Sequence, residues 1–135
     1  MKALLLDTNA VIWFAEDTTS AEIRAIIEQA ASENTVLVSP VTIYEITYLS
    51  RLGRLKLAID AEQFVSRMIS QEGVRIANIP AETARTAGEL DTDVGDPLDR
   101  ILMATAIAYD AVLVTHDRKI LEFAAESKSF EALAC

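Results

Sequence analysis

Residues 95–117 read GDPLDRILMATAIAYDAVLVTHD, and this segment says most about the fold. The pair Asp96-Pro97 is typical of a helix start, with a capping carboxylate followed by proline at the first helical position. After this start, residues recur at the i, i+3, i+4 spacing that places them on one face of a helix. They are Leu98, Ile101, Leu102, Thr105 and Tyr109. The apolar run 111–114 then predicts a buried strand. A helix leading directly into such a strand is the unit of a parallel α/β sheet.

Short apolar runs and helical patterns alternate along the rest of the chain. Further strands are predicted at residues 2–6, 35–38, 74–79 and, at an edge of the sheet, 130–133. Further helices are predicted at 20–32, 40–53, between Asp60 and Gly73, at 80–90 and at 118–126. Thr19 and Glu22 have the spacing of a capping box for the first of these helices. The predicted fold class is therefore α/β with a central, mostly parallel sheet.

Length and composition narrow the classes of function. The 135 residues predict one domain, 1–135, and 12 basic against 21 acidic residues give a net charge of −9. A protein that coats nucleic acid or a membrane surface with general basic charge is therefore not expected. One cysteine, Cys135, and one histidine, His116, exclude a disulfide framework and a zinc finger. With no apolar run near the roughly twenty residues of a spanning helix, a soluble protein of the cytoplasm is expected.

Acidic residues lie beside the ends of the predicted strands and at the start of a helix next to one of them. Asp7 ends the first strand, Asp117 comes after the fourth, Glu45 lies on the helix after the second, and Asp96 and Asp99 begin the helix before the fourth. Sites in open parallel sheets gather at the carboxyl ends of strands. Carboxylates brought together there repel one another unless a cation compensates. Oxygen ligands favour Mg²⁺ or Mn²⁺, and hence phosphodiester or phosphoryl chemistry.

Each acid also has a purely structural interpretation. Asp7 is suited to an Asx turn, Asp96 and Asp117 to helix caps, and Glu45 to a solvated helix face. Only the coincidence of several acids at one edge favours a site.

At these residues the chain resembles the PIN-domain family, and within it the VapC-type toxins of toxin–antitoxin pairs. The matching stretches are 6–9 (LDTN), 39–45 (SPVTIYE), 95–106 (GDPLDRILMATA) and 115–117 (THD). The resemblance covers essentially the whole chain, and the DPLDR stretch is its most specific part. It implies a PIN-like three-layer α/β/α fold and a metal-dependent endoribonuclease whose products carry a 5′-phosphate and a 3′-hydroxyl.

The resemblance also implies roles for individual residues. Asp7, Glu45, Asp99 and Asp117 match the family's acidic quartet. Asp7 and Asp99 would hold Mg²⁺ (or Mn²⁺), Asp117 is a more variable ligand, and Glu45 acts through water or shapes the site. The hydroxyl and amide groups of Thr8, Asn9 and Thr115 are suited to orienting these acids, with ordinary turn chemistry as the alternative. Asp96 also matches a signature of the family, with a structural role more than a functional one. His116 is expected to be a loop histidine without a catalytic role.

An RNA substrate would need basic residues near the acids. The candidates are Arg51, Arg54 and Lys56, which come soon after Glu45 in the chain, and Arg100, which could instead pair with Asp96 four residues earlier. An ordinary solvated helix end is the alternative for the first three.

The resemblance implies two protein partners as well. One is a cognate antitoxin whose C-terminal segment covers the acidic site, and the other is a second copy of the chain in a homodimer. Apolar residues suited to either surface, or to the core, are Trp13, Phe14, Ile43, Tyr44 and Tyr48.

Other classes of function agree less well with the sequence. A phospho-acceptor signalling module would need an adjacent acidic pair after the first strand, where this chain has Asp7-Thr8-Asn9. An aspartyl-phosphate phosphatase would need Asp at position 9. A non-catalytic scaffold of the same fold stays open, and replacement of Asp7 or Asp99 by Asn distinguishes it from a nuclease.

Overall fold

The chain builds a five-stranded sheet from short buried strands. The computed structural model describes residues 2–135. The strands are β1 (Leu4–Leu6), β2 (Val36–Val38), β3 (Val74–Ile76), β4 (Val112–Thr115) and β5 (Glu131–Ala134). The helices are α1 (Thr8–Ala15), α2 (Ala21–Ser32), α3 (Pro40–Arg51), α4 (Ala61–Ser70), α5 (Ala81–Glu89), α6 (Pro97–Tyr109) and α7 (Arg118–Ser127).

The strand order is β3-β2-β1-β4-β5, and all four pairings are parallel. The predicted α/β class with a mostly parallel sheet is confirmed. Because β1 lies between β2 and β4, the residues that follow these three strands lie next to one another at the carboxyl ends of the strands, in the middle of the sheet. This arrangement places the predicted acids together.

Helices cover both faces of the sheet, as the alternation of side chains along each strand requires. Leu4 and Leu6 face a core shared with α1, α2 and α4, whereas Leu5 faces a core shared with α6 and α7. The central strands are apolar because neither face meets water. Within residues 2–135, no helix combines the length and apolarity needed to cross a bilayer.

Some local predictions were wrong. Helix α1 begins directly after β1 and was not predicted, because its sequence TNAVIWFA is apolar throughout most of its length and has no polar face to give a helical period. Ser20, not Thr19, caps α2 by accepting the Ile23 N–H at 3.2 Å. The helix predicted up to Gly73 ends at Ser70, and Gly73 adopts φ +85° just before β3.

Candidate active site

Asp7 is a buried carboxylate at the junction of β1 and α1. It caps α1, with Oδ1 accepting the Ala10 N–H at 2.8 Å. Its Oδ2 accepts the Thr115 hydroxyl at 2.5 Å, and the residue is only 8% exposed. Burial raises the pKa of Asp7, while the hydrogen bonds from Thr115, Ala10 and the His116 backbone act in the opposite direction. The structural and functional interpretations of Asp7 are compatible, since the cap fixes the direction of the carboxylate.

Thr115 joins Asp7 to Asp117. It lies fully buried at the end of β4, donates its hydroxyl to Asp7, and accepts the Asp117 N–H at 3.1 Å. Asp117 in turn caps α7, with Oδ1 accepting the Ile120 N–H at 3.0 Å. The pairing of β1 with β4 therefore holds two acids and one hydroxyl in a connected arrangement.

Glu45 reaches the same edge from α3. The hydroxyl of Thr8, which is itself buried on α1, donates a hydrogen bond to Glu45 Oε1. Thr8 and Thr115, both predicted as supporting positions, thus contact acids of the predicted quartet. Asn9, predicted in the same group, is exposed on α1.

Asp99 lies in the first turn of α6 and faces the other acids. Partial burial raises the pKa of Asp99 to about 7, together with repulsion from Asp96, Asp117, Glu45 and Asp7. This repulsion shows that the structure brings the predicted quartet, with Asp96, into electrostatic reach of one carboxylate. Within residues 2–135 the Asp99 carboxylate accepts no hydrogen bond, unlike Asp7. Asp96 caps α6, accepting the N–H groups of Leu98 at 2.8 Å and Asp99 at 3.2 Å.

The donor set fits a hard divalent cation. Its ligands are carboxylate oxygens, each capable of accepting more than the bonds described above. In residues 2–135, no three acidic, histidine or cysteine side chains lie close enough to form a complete set of metal ligands as they stand. Mg²⁺ suits such a site because it retains several waters and binds through one or two carboxylates.

Arg100 is not available to RNA, contrary to the prediction. Its guanidinium donates to five backbone carbonyls, with Nη2 2.7 Å from Leu90 O and Nη1 2.9 Å from Val94 O. The other three acceptors are the carbonyls of Ala87, Thr92 and Gly88. The predicted pairing with Asp96 is also wrong, since the guanidinium N–H groups donate to these carbonyls instead. Arg100 ties the α5–α6 connection to α6.

The other predicted basic residues lie at the surface after Glu45. Arg51 has its guanidinium carbon 5.5 Å from the Tyr48 ring centre, and Arg54 and Lys56 are exposed in the loop after α3. Two further exposed cations, Arg118 and Lys119, come directly after Asp117 and were not predicted as RNA contacts.

The side chain of His116 contacts residues outside the quartet. Its Nδ1 lies 3.4 Å from Cys135 O, and its ring meets Trp13 edge-on at 5.0 Å between ring centres. Those contacts accord with the expected loop histidine.

An apolar groove of about 730 Å³ lies on the sheet face beneath α1, α2 and α4. Phe14 is among its lining residues, while Tyr44 and Tyr48 stack on each other at the surface of α3 with 5.6 Å between ring centres. The lining includes the strand residues Leu6, Val36 and Val38, and its charged residues are Glu16, Glu28, Arg24 and Arg67.

Comparison with known proteins places the chain in a family. The family model described as PIN domain matches residues 4–126. Ribonuclease VapC22 of Mycobacterium tuberculosis is 31% identical over 123 residues, covering 89% of this chain and 91% of that protein.

Two solved structures have the same architecture. A chain of the crystal structure of VapBC2 from Rickettsia felis bound to a DNA fragment from their promoter aligns with a TM-score of 0.72 and 19% identity, covering 98% of each chain. A chain of DNA-bound VapBC from Salmonella typhimurium aligns with a TM-score of 0.66 and 17% identity, covering 99% of this chain and 98% of that one. These likenesses confirm the predicted PIN-like fold, and the chain belongs to the PIN-domain family, in its VapC group.

Proposed function

We propose that the chain is a Mg²⁺-dependent endoribonuclease, the toxin of a VapBC-type toxin–antitoxin pair, and that it hydrolyses RNA phosphodiester bonds at the acidic edge of the sheet. The observation that carries this proposal is the position of Asp99 beside four other carboxylates: partial burial, together with their repulsion, raises the pKa of Asp99 to about 7. A divalent cation would remove that repulsion. The relative named as a ribonuclease supports the choice of RNA as the substrate.

Asp7 and Asp99 would hold the ion, with Asp117 and Glu45 as direct or water-mediated ligands. When bound, the ion supplies a water of lowered pKa and polarises a phosphate oxygen. Asp7 is oriented for this role by the Ala10 N–H and the Thr115 hydroxyl, and Glu45 by the Thr8 hydroxyl. Asp99 accepts no such bond, and its raised pKa of about 7 means that its carboxyl would lose a proton when the ion binds near neutral pH. Mn²⁺ fits the same oxygen donors.

An antitoxin is proposed as the protein partner. Two structural neighbours are VapBC complexes, by their descriptions. The groove beneath α1, α2 and α4 has a mostly apolar lining with two acids and two cations, which suits an amphipathic segment that carries mainly apolar side chains on one face. A homodimer is proposed as well, for which the exposed Tyr44 and Tyr48 are candidate contacts.

The decisive experiment is cleavage of defined structured RNAs by purified chain, with Mg²⁺ and with EDTA. Asp99→Asn is tested in parallel with Glu72→Gln, an exposed residue whose replacement changes the charge equally. We expect Mg²⁺-dependent cutting by the wild type and by Glu72→Gln, and loss of cutting in Asp99→Asn.

Equal cutting by all three proteins would point to a contaminating nuclease and contradict the proposal. Absence of cutting by antitoxin-free protein that binds Mg²⁺ would favour the non-catalytic scaffold instead.

A further inference from the structure

Arg118 and Lys119 form an unusual cationic pair in an acidic chain. Of the twelve basic residues, these two are the only ones that are consecutive, and they come directly after Asp117. Both are exposed at the start of α7. In residues 2–135 the ion pairs are made by Lys2, Arg24 and Arg85, and neither member of the cationic pair takes part in one.

The position of this pair is unfavourable for α7 itself. The first turn of a helix carries partial positive charge, so acids stabilise it and cations weaken it. Four helices obey that rule with an acid in the first turn, namely Glu22 in α2, Glu62 in α4, Glu82 in α5 and Asp99 in α6. Helix α7 has no acid there and begins with both cations. Helix stability therefore does not account for the cationic pair.

The pair is well placed for the acidic edge. Side chains in a helix lean toward its N-terminus, and the N-terminus of α7 is where β4 delivers Asp117. Asp117 lies within electrostatic reach of Asp99. Long basic side chains at the first two positions of α7 are therefore placed to reach the rim of the acidic site, where the carboxylates repel a polyanion.

We propose that Arg118 and Lys119 bind backbone phosphates of the RNA substrate beside the acidic site and hold the strand over the carboxylates. The proposal rests on the proposed ribonuclease function and adds the residues that bring RNA to it. Phosphate contacts of this kind position a nucleic acid without reading its sequence, so substrate choice would come from other parts of the surface.

The test measures RNA binding, not cleavage. The probe is a fluorescein-labelled RNA hairpin with a single-stranded loop, titrated by anisotropy with protein in an Asp99→Asn background at about 0.05 to 0.3 M KCl. The test variant is R118Q/K119Q. The control is R75Q/K128Q, which removes two exposed cations, one of them from the opposite end of α7, and makes the net charge more negative by the same two units. Thermal unfolding of each protein is recorded alongside.

We expect R118Q/K119Q to raise Kd roughly 10- to 50-fold at about 0.1 M salt and to reduce the slope of log Kd against log salt by about 1.5. We also expect its Tm to rise by about 1 to 4 °C, since two cations leave the positive end of α7. The control should change neither Kd nor the slope and should not raise Tm.

Equal Kd values for the two double variants, or no binding of the hairpin by the parent protein, would overturn the inference. A fall in Tm with unchanged Kd would show that the pair only neutralises the acids, and would also overturn it. Failure of the proposed function is distinguished by the cleavage assay: hairpin binding that depends on the pair, in a wild type that cuts no RNA, would support the inference and contradict the nuclease.

Discussion

The acidic site has two halves that are held in different ways. The sheet half, comprising Asp7, Thr115 and Asp117, is tied together by hydrogen bonds between the ends of β1 and β4. The helix half, comprising Asp96 and Asp99 at the start of α6, leaves the Asp99 carboxylate without a hydrogen-bond donor in the described chain, and its pKa rises to about 7. The sheet half is thus organised without an ion, whereas the helix half needs a proton or a cation to relieve its charge.

The strongest effects are expected from the same substitution made in each half. Asp7→Ala and Asp99→Ala should both reduce RNA cleavage by more than about 100-fold, the upper end of effects seen when only a supporting residue of a metal site is lost. Their effects on stability should have opposite signs. Asp7→Ala removes a helix cap and a buried acceptor and should lower the free energy of unfolding by about 1–2 kcal/mol. Asp99→Ala removes repulsion and should raise the metal-free Tm.

Chemical denaturation and cleavage of the same RNA measure both properties. Glu72→Gln is again the control for loss of one charge. Stability changes of the same sign in the two alanine variants would erase the distinction between the halves.

A smaller effect on cleavage, but a larger one on stability, is expected from Arg100, which anchors the loop before the helix half. Arg100→Lys retains the charge but cannot reach five carbonyls, so it should lower the free energy of unfolding by roughly 2–4 kcal/mol. The salt dependence of RNA binding should not change, because the guanidinium is occupied by backbone carbonyls. Arg51→Lys, at an exposed position, is the matched control. A normal Tm combined with weaker RNA binding would restore the role predicted from sequence.

Thr115 tests the sheet half alone. Thr115→Val keeps the shape but removes the donor to Asp7 and the acceptor of the Asp117 N–H, at a cost of about 1–3 kcal/mol in stability. Cleavage should fall about tenfold as Asp7 loses its orientation. Thr115→Ser retains the hydroxyl and should recover most of both. Cleavage by the valine variant at the wild-type rate would mean that this hydrogen bond does not position Asp7.

The weakest effect is the dependence of stability on pH in EDTA. The pKa of Asp99 rises from its ordinary value of 3.8 to about 7 on folding, so the folded chain binds more protons than the unfolded chain between these values. The contribution of Asp99 to the free energy of unfolding therefore falls as pH rises from about 4 through 7. Asp7, whose pKa is also raised, acts in the same direction.

Unfolding of wild type and Asp99→Ala in EDTA, from pH 4 to pH 8, checks this sign. The two Tm values should converge near pH 4 and diverge by about 2 to 5 °C at pH 8, with the variant higher. A difference that does not vary with pH would show that Asp99 has no raised pKa.

Most of the fold was predictable because it depends on local chemistry. Apolar runs marked the strands, and capping residues such as Ser39, Asp60 and Asp96 marked helix starts that the structure has at the same positions. Helix α1 was not predicted, because its eight mostly apolar residues show no helical periodicity. In addition, Asp7 both follows the first strand and caps this helix. A local sequence pattern that indicates the end of a strand at Asp7 does not also indicate the start of a helix there.

The gathering of acids at one edge could be inferred from residue order, because parallel strands deliver the residues at their carboxyl ends to a common edge. The partner of each side chain, in contrast, depends on the tertiary structure. Every residue carries a carbonyl, so residue types do not reveal that Arg100 binds five of them from residues 87 to 94. Likewise, Asp7 and Asp99 are the same residue type and burial raises the pKa of both, but only Asp7 receives hydrogen-bond donors, whereas Asp99 meets the repulsion of four other carboxylates.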